Sequence, residues 1–233
     1  MCTVSLHQYN ECTYLFMNRD ERHDRPAELP PQYLDKEESI TAPIDPQSKG
    51  TWIGMSHQGY AACLLNGYQS SDATRRDIIQ SRGNIIERIL SSYAPFDAIT
   101  SFDASAFASF RLLVCNADRH VLYLWDGKTY QRGDVHATYD NAFFITSSSL
   151  DEPEVILQRQ RIFLKSIPHY EAKPHKIPTL HYSRQPNAEY APLMFRDYSR
   201  TKSITSVVLC HNQKPTMQYH RITYDIAKTG VLT

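Results

Sequence analysis

Two runs of β-branched and aromatic residues, Thr3–Tyr9 and Cys12–Asn18, stand only two residues apart, with Asn10-Glu11 between them. Such spacing folds as an antiparallel hairpin, and a two-residue turn fixes its register. Tyr9 then faces Cys12, Leu6 faces Leu15, Val4 faces Met17 and Cys2 faces Arg19. Side chains alternate along a strand, so Cys2, Val4, Leu6, Leu15 and Met17 share one face. That face is apolar except at its open end, where a thiol meets a guanidinium. A fixed cation beside a thiol favours the thiolate, which predicts a depressed Cys2 pKa.

Cys2 also follows Met1 directly. Aminopeptidases remove Met before small residues, and the chain would then begin with a thiol and a free α-amine on one residue. That pairing supplies a nucleophile together with its proton acceptor. Their ordinary pKa values, about 8.5 and about 8, suit work near neutral pH.

A chain of 233 residues buries one substantial core, so residues 1–233 read as a single domain. Lys and Arg (25) balance Asp and Glu (25), leaving no single-signed field to draw nucleic acid or an anionic membrane. The five cysteines, at 2, 12, 63, 115 and 210, form no CxxC pair, which argues against a structural zinc site or a complete disulfide framework. Cys12, Cys63, Cys115 and Cys210 lie in apolar strand contexts and read as core packing. No apolar run approaches the ~18 residues of a membrane span, and no basic segment leads an apolar stretch at the N-terminus. The ten His residues show no HxH or HExxH spacing, so neither metal nor cofactor is expected. These readings predict a reduced, cytoplasmic chain with no transmembrane segment and no nucleic-acid partner.

Further along, residues 22–49 are polar and Pro-rich and read as an irregular surface loop. A second hairpin is expected over Thr51–Ser56 and Tyr60–Asn66. Helical spacing over Thr74–Tyr93 and Pro95–Ala108 predicts two helices. Strands are expected at Phe110–Cys115, His120–Trp125, Thr129–Arg132 and Phe143–Ser147. Glu154–Ile167 reads as a helix that Pro168 ends, and residues 168–192 as a loop. Ile204–Cys210 and Met217–Tyr224 form a closing hairpin.

Several stretches carry a resemblance. They are Met1-Cys2-Thr3, Asn18-Arg19-Asp20-Glu21 with Arg25-Pro26, Lys49-Gly50-Thr51-Trp52-Ile53-Gly54, Leu65-Asn66 and Ser81-Arg82-Gly83, with weaker segments at 144–153 and 198–208. Together they resemble the NRDE family, also called the transport and Golgi organisation protein 2 family. The resemblance implies an N-terminal nucleophile (Ntn) hydrolase fold: α+β, a four-layer αββα sandwich of two antiparallel sheets between helical layers. It implies that Cys2 is the nucleophile, that Arg19 holds the thiol and substrate, and that Asp20 binds the α-ammonium. Asn66 matches an oxyanion-hole position, where a preorganised N–H opposes developing charge, although Asn66-Gly67 also reads as an ordinary turn. Asn18, Arg82, Ser147 and Arg200 are the candidate substrate contacts. Asn18 also reads as shaping the strand exit, and Arg82 as a solvated helical Arg. Where the family has Ser-Asn before the late helix, this chain has Thr146-Ser147, and Glu154 stands where a Trp is usual.

The function implied is cysteine-type amide hydrolysis of an N-acyl amine or a glutamine-like amide. The alternative is a non-catalytic binding or trafficking protein on the same fold, with a lipid-like ligand or haem as its cargo. By residue type alone, Cys2, His7, His23 and His57 would be the haem ligands.

Overall fold

The first strand pair adopts the register that its turn dictates. In the computed structural model, which describes residues 2–35, 37, 39–68, 72, 77–134 and 141–224, β1 (Cys2–Tyr9) pairs β2 (Cys12–Arg22) with Cys2 opposite Arg19 and Tyr9 opposite Cys12. Asn10 and Glu11 take φ of 46° and 59°, the left-handed pair whose twist matches that of a hairpin.

The remaining elements, in chain order, are β3 (Leu29–Tyr33), β4 (Ile40–Ile44), β5 (Ile53–Ser56), β6 (Ala61–Asn66), α1 (Ile85–Leu90), α2 (Pro95–Thr100), β7 (Phe110–Cys115), β8 (His120–Trp125), β9 (Tyr130–Asp134), β10 (Ala142–Ser147), α3 (Glu152–Ala172), α4 (Thr179–Tyr182), β11 (Ser199–Cys210) and β12 (Thr216–Arg221). Five strands form one antiparallel sheet in the order β10-β1-β2-β11-β12, and seven form the other, β3 through β9 in sequence order. The two sheets face each other across a core of Val4, Leu6, Leu15, Met17, Ile53, Cys63, Leu65, Leu113 and Val207. Burying each large aliphatic side chain there contributes roughly 1.5–3 kcal/mol. Helices α1 and α2 cover the outer face of the seven-stranded sheet through Ile85, Ile86, Ile89, Leu90, Phe96 and Ile99. Helices α3 and α4 cover the five-stranded sheet through Phe163 and Leu180. The result is the expected αββα order.

Both faces of β1 are therefore buried. Cys2, Val4 and Leu6 enter the intersheet core, while Thr3, Ser5 and His7 face the α3–α4 layer and are equally hidden. The Thr3 and Ser5 hydroxyls find partners there. Arg159 of α3 donates to the Thr3 hydroxyl at 2.7 Å, and Ser5 Oγ lies 2.7 Å from His181 Nε2.

Four expectations need correction. Residues 22–49 contain two strands, β3 and β4, rather than an irregular loop. Their prolines are tolerated because β3 is a sheet edge, and because the β3–β4 register shifts between Leu29 and Gln32, opposite Pro43. The first predicted helix shrinks to α1, preceded by a 3-10 turn at Arg82–Asn84, and residues 74–76 of that prediction lie outside the described residues. The second helix stops at Thr100. Helix α3 continues through Pro168 to Ala172, and α4 interrupts the predicted 168–192 loop.

The cysteines also divide differently. Cys63 and Cys115 are buried thiols of the intersheet core, but Cys12 and Cys210 form a disulfide that joins β2 to β11. Cys12 and Cys210 sit directly opposite in the ladder, which brings their sulfurs together. An alternating strand pattern cannot distinguish such a cross-strand pair from two packed thiols.

Candidate active site

Cys2 begins β1, with Arg19 on one side of it in the ladder and Ser147 of β10 on the other. The three residues share a sheet face. They lie at the sheet end where β1, β2 and β10 meet the loops of the opposite sheet. A polar cavity of about 290 Å³ opens there, lined by Cys2, Arg19, Asp20, Asp45, Asn66 and Arg82 among others.

Arg19 is neutralised on every side. Its guanidinium bonds Asp45 at 2.6 Å and Glu28 at 3.3 Å, approaches Glu21 at 3.5 Å, and lies 4.2 Å over the Trp52 ring. Arg25 adds a second cation to Asp45 at 2.9 Å. Burial alone would raise the Asp45 carboxyl. The Arg25 hydrogen bond, the Ser48 backbone N–H and the charges of Arg19 and Arg25 outweigh it, and Asp45 stays below the usual carboxylate range. The Trp52 ring is the platform on which Arg19 rests.

The Cys2 thiol does not follow the predicted direction. Burial pushes its pKa up and the Asp20 charge adds to the rise, while the N-terminal ammonium, the backbone bond from Asp20 and the Arg19 charge only partly oppose them. Arg19 is already shared among carboxylates, so little of its field reaches the sulfur. Cys2 is therefore a thiol at neutral pH, and attack on a carbonyl needs a base to take its proton.

Asp20 leaves β2 on the opposite face from Arg19, toward α3. Its Oδ1 accepts from the Thr201 hydroxyl at 2.6 Å, and Arg159 lies 3.7 Å from its Oδ2. Burial raises its pKa, while Arg159 and Thr201 pull the other way. A bulge in β11 between Thr201 and Ser203 sets Thr201 opposite Asp20. Bulges recur beside functional sites because the extra residue re-aims its neighbours. Arg159 itself donates to Thr3 and Thr146 hydroxyls at 2.7 and 2.9 Å, and Thr146 donates to the Cys2 carbonyl at 2.9 Å. A hydrogen-bonded chain thus runs from α3 to the backbone of Cys2.

The other candidates separate. Asn66 ends β6 at the cavity wall, where its Nδ2 donates to the Tyr68 hydroxyl at 3.2 Å and, among the described residues, its second N–H has no partner. Arg82 also lines the cavity and donates to the Ser109 carbonyl at 2.7 Å, so it is not a solvated helical Arg. Asn18 is remote from the cavity: its Nδ2 donates to the His181 and Pro192 carbonyls, and its Oδ1 faces His181 Nδ1 at 2.6 Å. It anchors α4 rather than a substrate. Ser147 is fully buried, and its hydroxyl has no hydrogen-bond partner among the described residues. Arg200 points to the Tyr224 ring at 5.5 Å, away from the cavity, and its neighbour Thr201 makes the bond to Asp20 instead.

The four haem-ligand candidates do not converge. Cys2 and His7 lie on opposite faces of β1, and His7 stacks on Tyr14 and Phe16. His23 bonds the Arg196 carbonyl, and His57 sits in the β5–β6 turn beside Tyr33. Among the described residues no cluster of His, Cys, Asp or Glu could hold a metal ion.

Sequence reading missed Glu28, Asp45 and Arg159. The first two fall in the Pro-rich segment taken for a loop. Arg159 had a legible signal: Val155, Arg159, Phe163 and Ser166 recur at helical spacing on the buried face of α3. A charge inside such a stripe needs a partner, and its partners are in the site.

Comparison with known proteins agrees with this architecture. Among solved structures, the Caenorhabditis elegans N-acylethanolamine-hydrolyzing acid amidase ortholog superposes with a TM-score of 0.57 at 10% identity, over 93% of this chain and 100% of that one. Eukaryotic HslV from Trypanosoma brucei gives 0.32 at 11% identity, over 68% and 78%, a score too low to argue from. At such identities the likeness shows an Ntn-hydrolase-like fold and nothing finer. No curated protein matches the sequence. The family model for Transport and Golgi organisation 2 matches residues 1–218, and the chain belongs to that family.

Proposed function

We propose that this member of the Transport and Golgi organisation 2 family is a cysteine-type N-terminal nucleophile amidohydrolase acting on a linear amide, an N-acyl amine or a glutamine-like amide. The observation that carries the reading is the position of Cys2: first residue of an interior strand, on the wall of a polar cavity, with Asp20 beside it and the Asn66 amide in the same wall. The reading requires removal of Met1. The freed α-amine of Cys2 then takes the thiol proton, and the sulfur attacks the carbonyl. The tetrahedral oxyanion takes the uncommitted N–H of Asn66, and the α-ammonium protonates the leaving amine. Water hydrolyses the thioester. Asp20 is the carboxylate that would hold the ammonium form.

A specific observation favours the second reading, a binding or trafficking protein on the same scaffold. Ser147 offers no amide to an oxyanion and burial holds Cys2 protonated, so the chemical machinery is thinner than the cavity. A lipid-like ligand or haem belongs to this reading.

The compartment is part of the proposal. No described helix is long and apolar enough to cross a membrane. The cytoplasm suits the three free thiols, whereas the Cys12–Cys210 bond belongs to oxidising surroundings.

One experiment addresses all three points. Intact mass of the protein from its native host, alkylated without reductant, reports whether Met1 is gone and whether Cys12–Cys210 is closed. The same material is then assayed on N-acyl amides and glutamine analogues. Amine release that Cys2→Ala abolishes, at an unchanged melting temperature, supports the hydrolase. Retained Met1 in active material would sink the mechanism. No turnover, with a ligand raising the stability of wild type and Cys2→Ala alike, would leave the binding protein.

A further inference from the structure

Among the described residues, the charges around the Cys2 cavity come in matched sets, with one exception. Arg19 and Arg25 are taken up by Asp45, Glu28 and Glu21, and Asp20 by Thr201 with Arg159 behind it. Arg82 has no such match. A guanidinium carries five N–H donors, and the partner of Arg82 is the Ser109 carbonyl at 2.7 Å. Among the described residues no carboxylate comes within ion-pairing distance of it. Asp72 is the carboxylate whose field reaches it, and both Asp72 oxygens are occupied by the Ser109 N–H and hydroxyl, at 2.5 to 3.1 Å. Arg82 is nonetheless half-buried and lines the cavity that holds Cys2. Withdrawing an unpaired cation from water is costly, and a buried ion ordinarily has its partner beside it.

The segment is also built to hold that side chain in place. Gly50 and Gly83 pack backbone to backbone: a Cβ on Gly50 would lie 2.6 Å from Gly83 Cα, and one on Gly83 would lie 2.9 Å from Gly50 Cα. The Thr51 N–H donates to the Gly83 carbonyl at 3.0 Å, and the Gly83 N–H donates to Ser81 Oγ. Arg82 therefore projects from a clasp fixed to the start of β5, and does not swing from a free loop.

We propose that Arg82 is the receptor for an oxyanion on the ligand, so that the Cys2 cavity takes an amide bearing a carboxylate or a phosphate. The substrate class rests on the hydrolase reading, and the anion receptor stands or falls separately. The planar fork of arginine fits both oxyanions with paired N–H···O bonds, which a neutral acyl chain cannot accept.

The test has a binding arm and a turnover arm. In the Cys2→Ala protein, calorimetric titration uses glutarate, inorganic phosphate and the neutral isostere glutaramide. Glutarate or phosphate is expected to bind at least about tenfold tighter than glutaramide, as charged hydrogen bonds imply, and the better of the two names the anion. Adding Arg82→Gln should remove that preference, and Arg82→Lys should keep part of it, with melting curves confirming that both variants fold. Equal affinities for glutarate, phosphate and glutaramide, or an Arg82→Gln protein that still prefers the anion, would overturn the proposal. In the turnover arm, wild type is given the glutaryl and pentanoyl amides of 7-amino-4-methylcoumarin. A higher kcat/KM for glutaryl that Arg82→Gln erases supports the anionic substrate. Pentanoyl turnover at Cys2 with no anion preference in either arm keeps the hydrolase and rejects the receptor. Arg82-dependent glutarate binding with no turnover of either amide keeps the receptor and rejects the hydrolase.

Discussion

Arg159 shows what a single residue contributes to the site. It is fully buried, bonds Thr3, Thr146 and the Tyr190 carbonyl, and stands 3.7 Å from Asp20. Removing one member of a buried pair leaves the other as an uncompensated charge, which costs more than the pair contributes. Arg159→Met should therefore lower stability by about 3–5 kcal/mol in urea unfolding, and Asp20→Asn by less. The double variant should be more stable than the sum of the two losses predicts, because each single change strands the other's charge. Additive losses would show that the two do not interact. At this scale the sequence was legible where function is local. Cys2, Arg19, Asp20, Asn66 and Arg82, which the motifs single out, line one cavity. Asn18 and Arg200 do not reach it, because strand alternation sends Asn18 toward α4 and the Arg200 side chain goes to Tyr224. The net charge environment was not legible. The direction of the Cys2 shift is set chiefly by burial, which the pairing of Cys2 with Arg19 does not reveal.

Among the elements, the first hairpin was readable to the residue because a two-residue turn leaves no freedom in register. The helices were not. Apolar spacing over 74–93 predicts one long helix, yet Arg82–Asn84 tightens into a 3-10 turn so that Gly83 can lie against Gly50. That contact is made by backbones from distant parts of the chain, and only a tertiary structure reveals it. Gly50→Ala is the direct probe. Its Cβ would meet Gly83 Cα at 2.6 Å and Gly83 O at 2.9 Å, so backbone must move. The expected loss is about 1–3 kcal/mol, the usual cost of overpacking. Arg82, adjacent to Gly83, should shift with it and bind glutarate more weakly. A Gly50→Ala protein with unchanged melting temperature and affinity would mean that the clasp is soft.

For the whole molecule, the telling property is how much ionisable chemistry lies inside it. His7 and His120 are depressed to about 4 and His181 to about 3, chiefly by burial. Each is neutral when folded and has an ordinary pKa near 6.5 when unfolded. Between those values the unfolded chain binds more protons, so stability is complete above pH ~6.5 and is lost as pH falls toward 4. Three such groups give a slope approaching about 4 kcal/mol per pH unit near pH 5. Asp20 runs the other way: its raised pKa favours the fold at low pH and withdraws that help as pH rises through it. Urea midpoints measured from pH 7 to 4.5 should fall steeply, and His181→Gln should flatten the curve by about one proton's worth. A flat profile would mean that the histidines are wetter than their packing indicates. The two-sided burial of β1 has a last consequence, for how this sequence can change over generations. Where Val4 and Leu6 meet the opposite sheet, contacts are non-directional and swaps of similar volume are absorbed. Where Thr3 and Ser5 meet Arg159 and His181, every replacement strands a donor or an acceptor. Odd-numbered positions along that one strand should be nearly frozen in any library of functional variants, while their even-numbered neighbours Val4 and Leu6 drift.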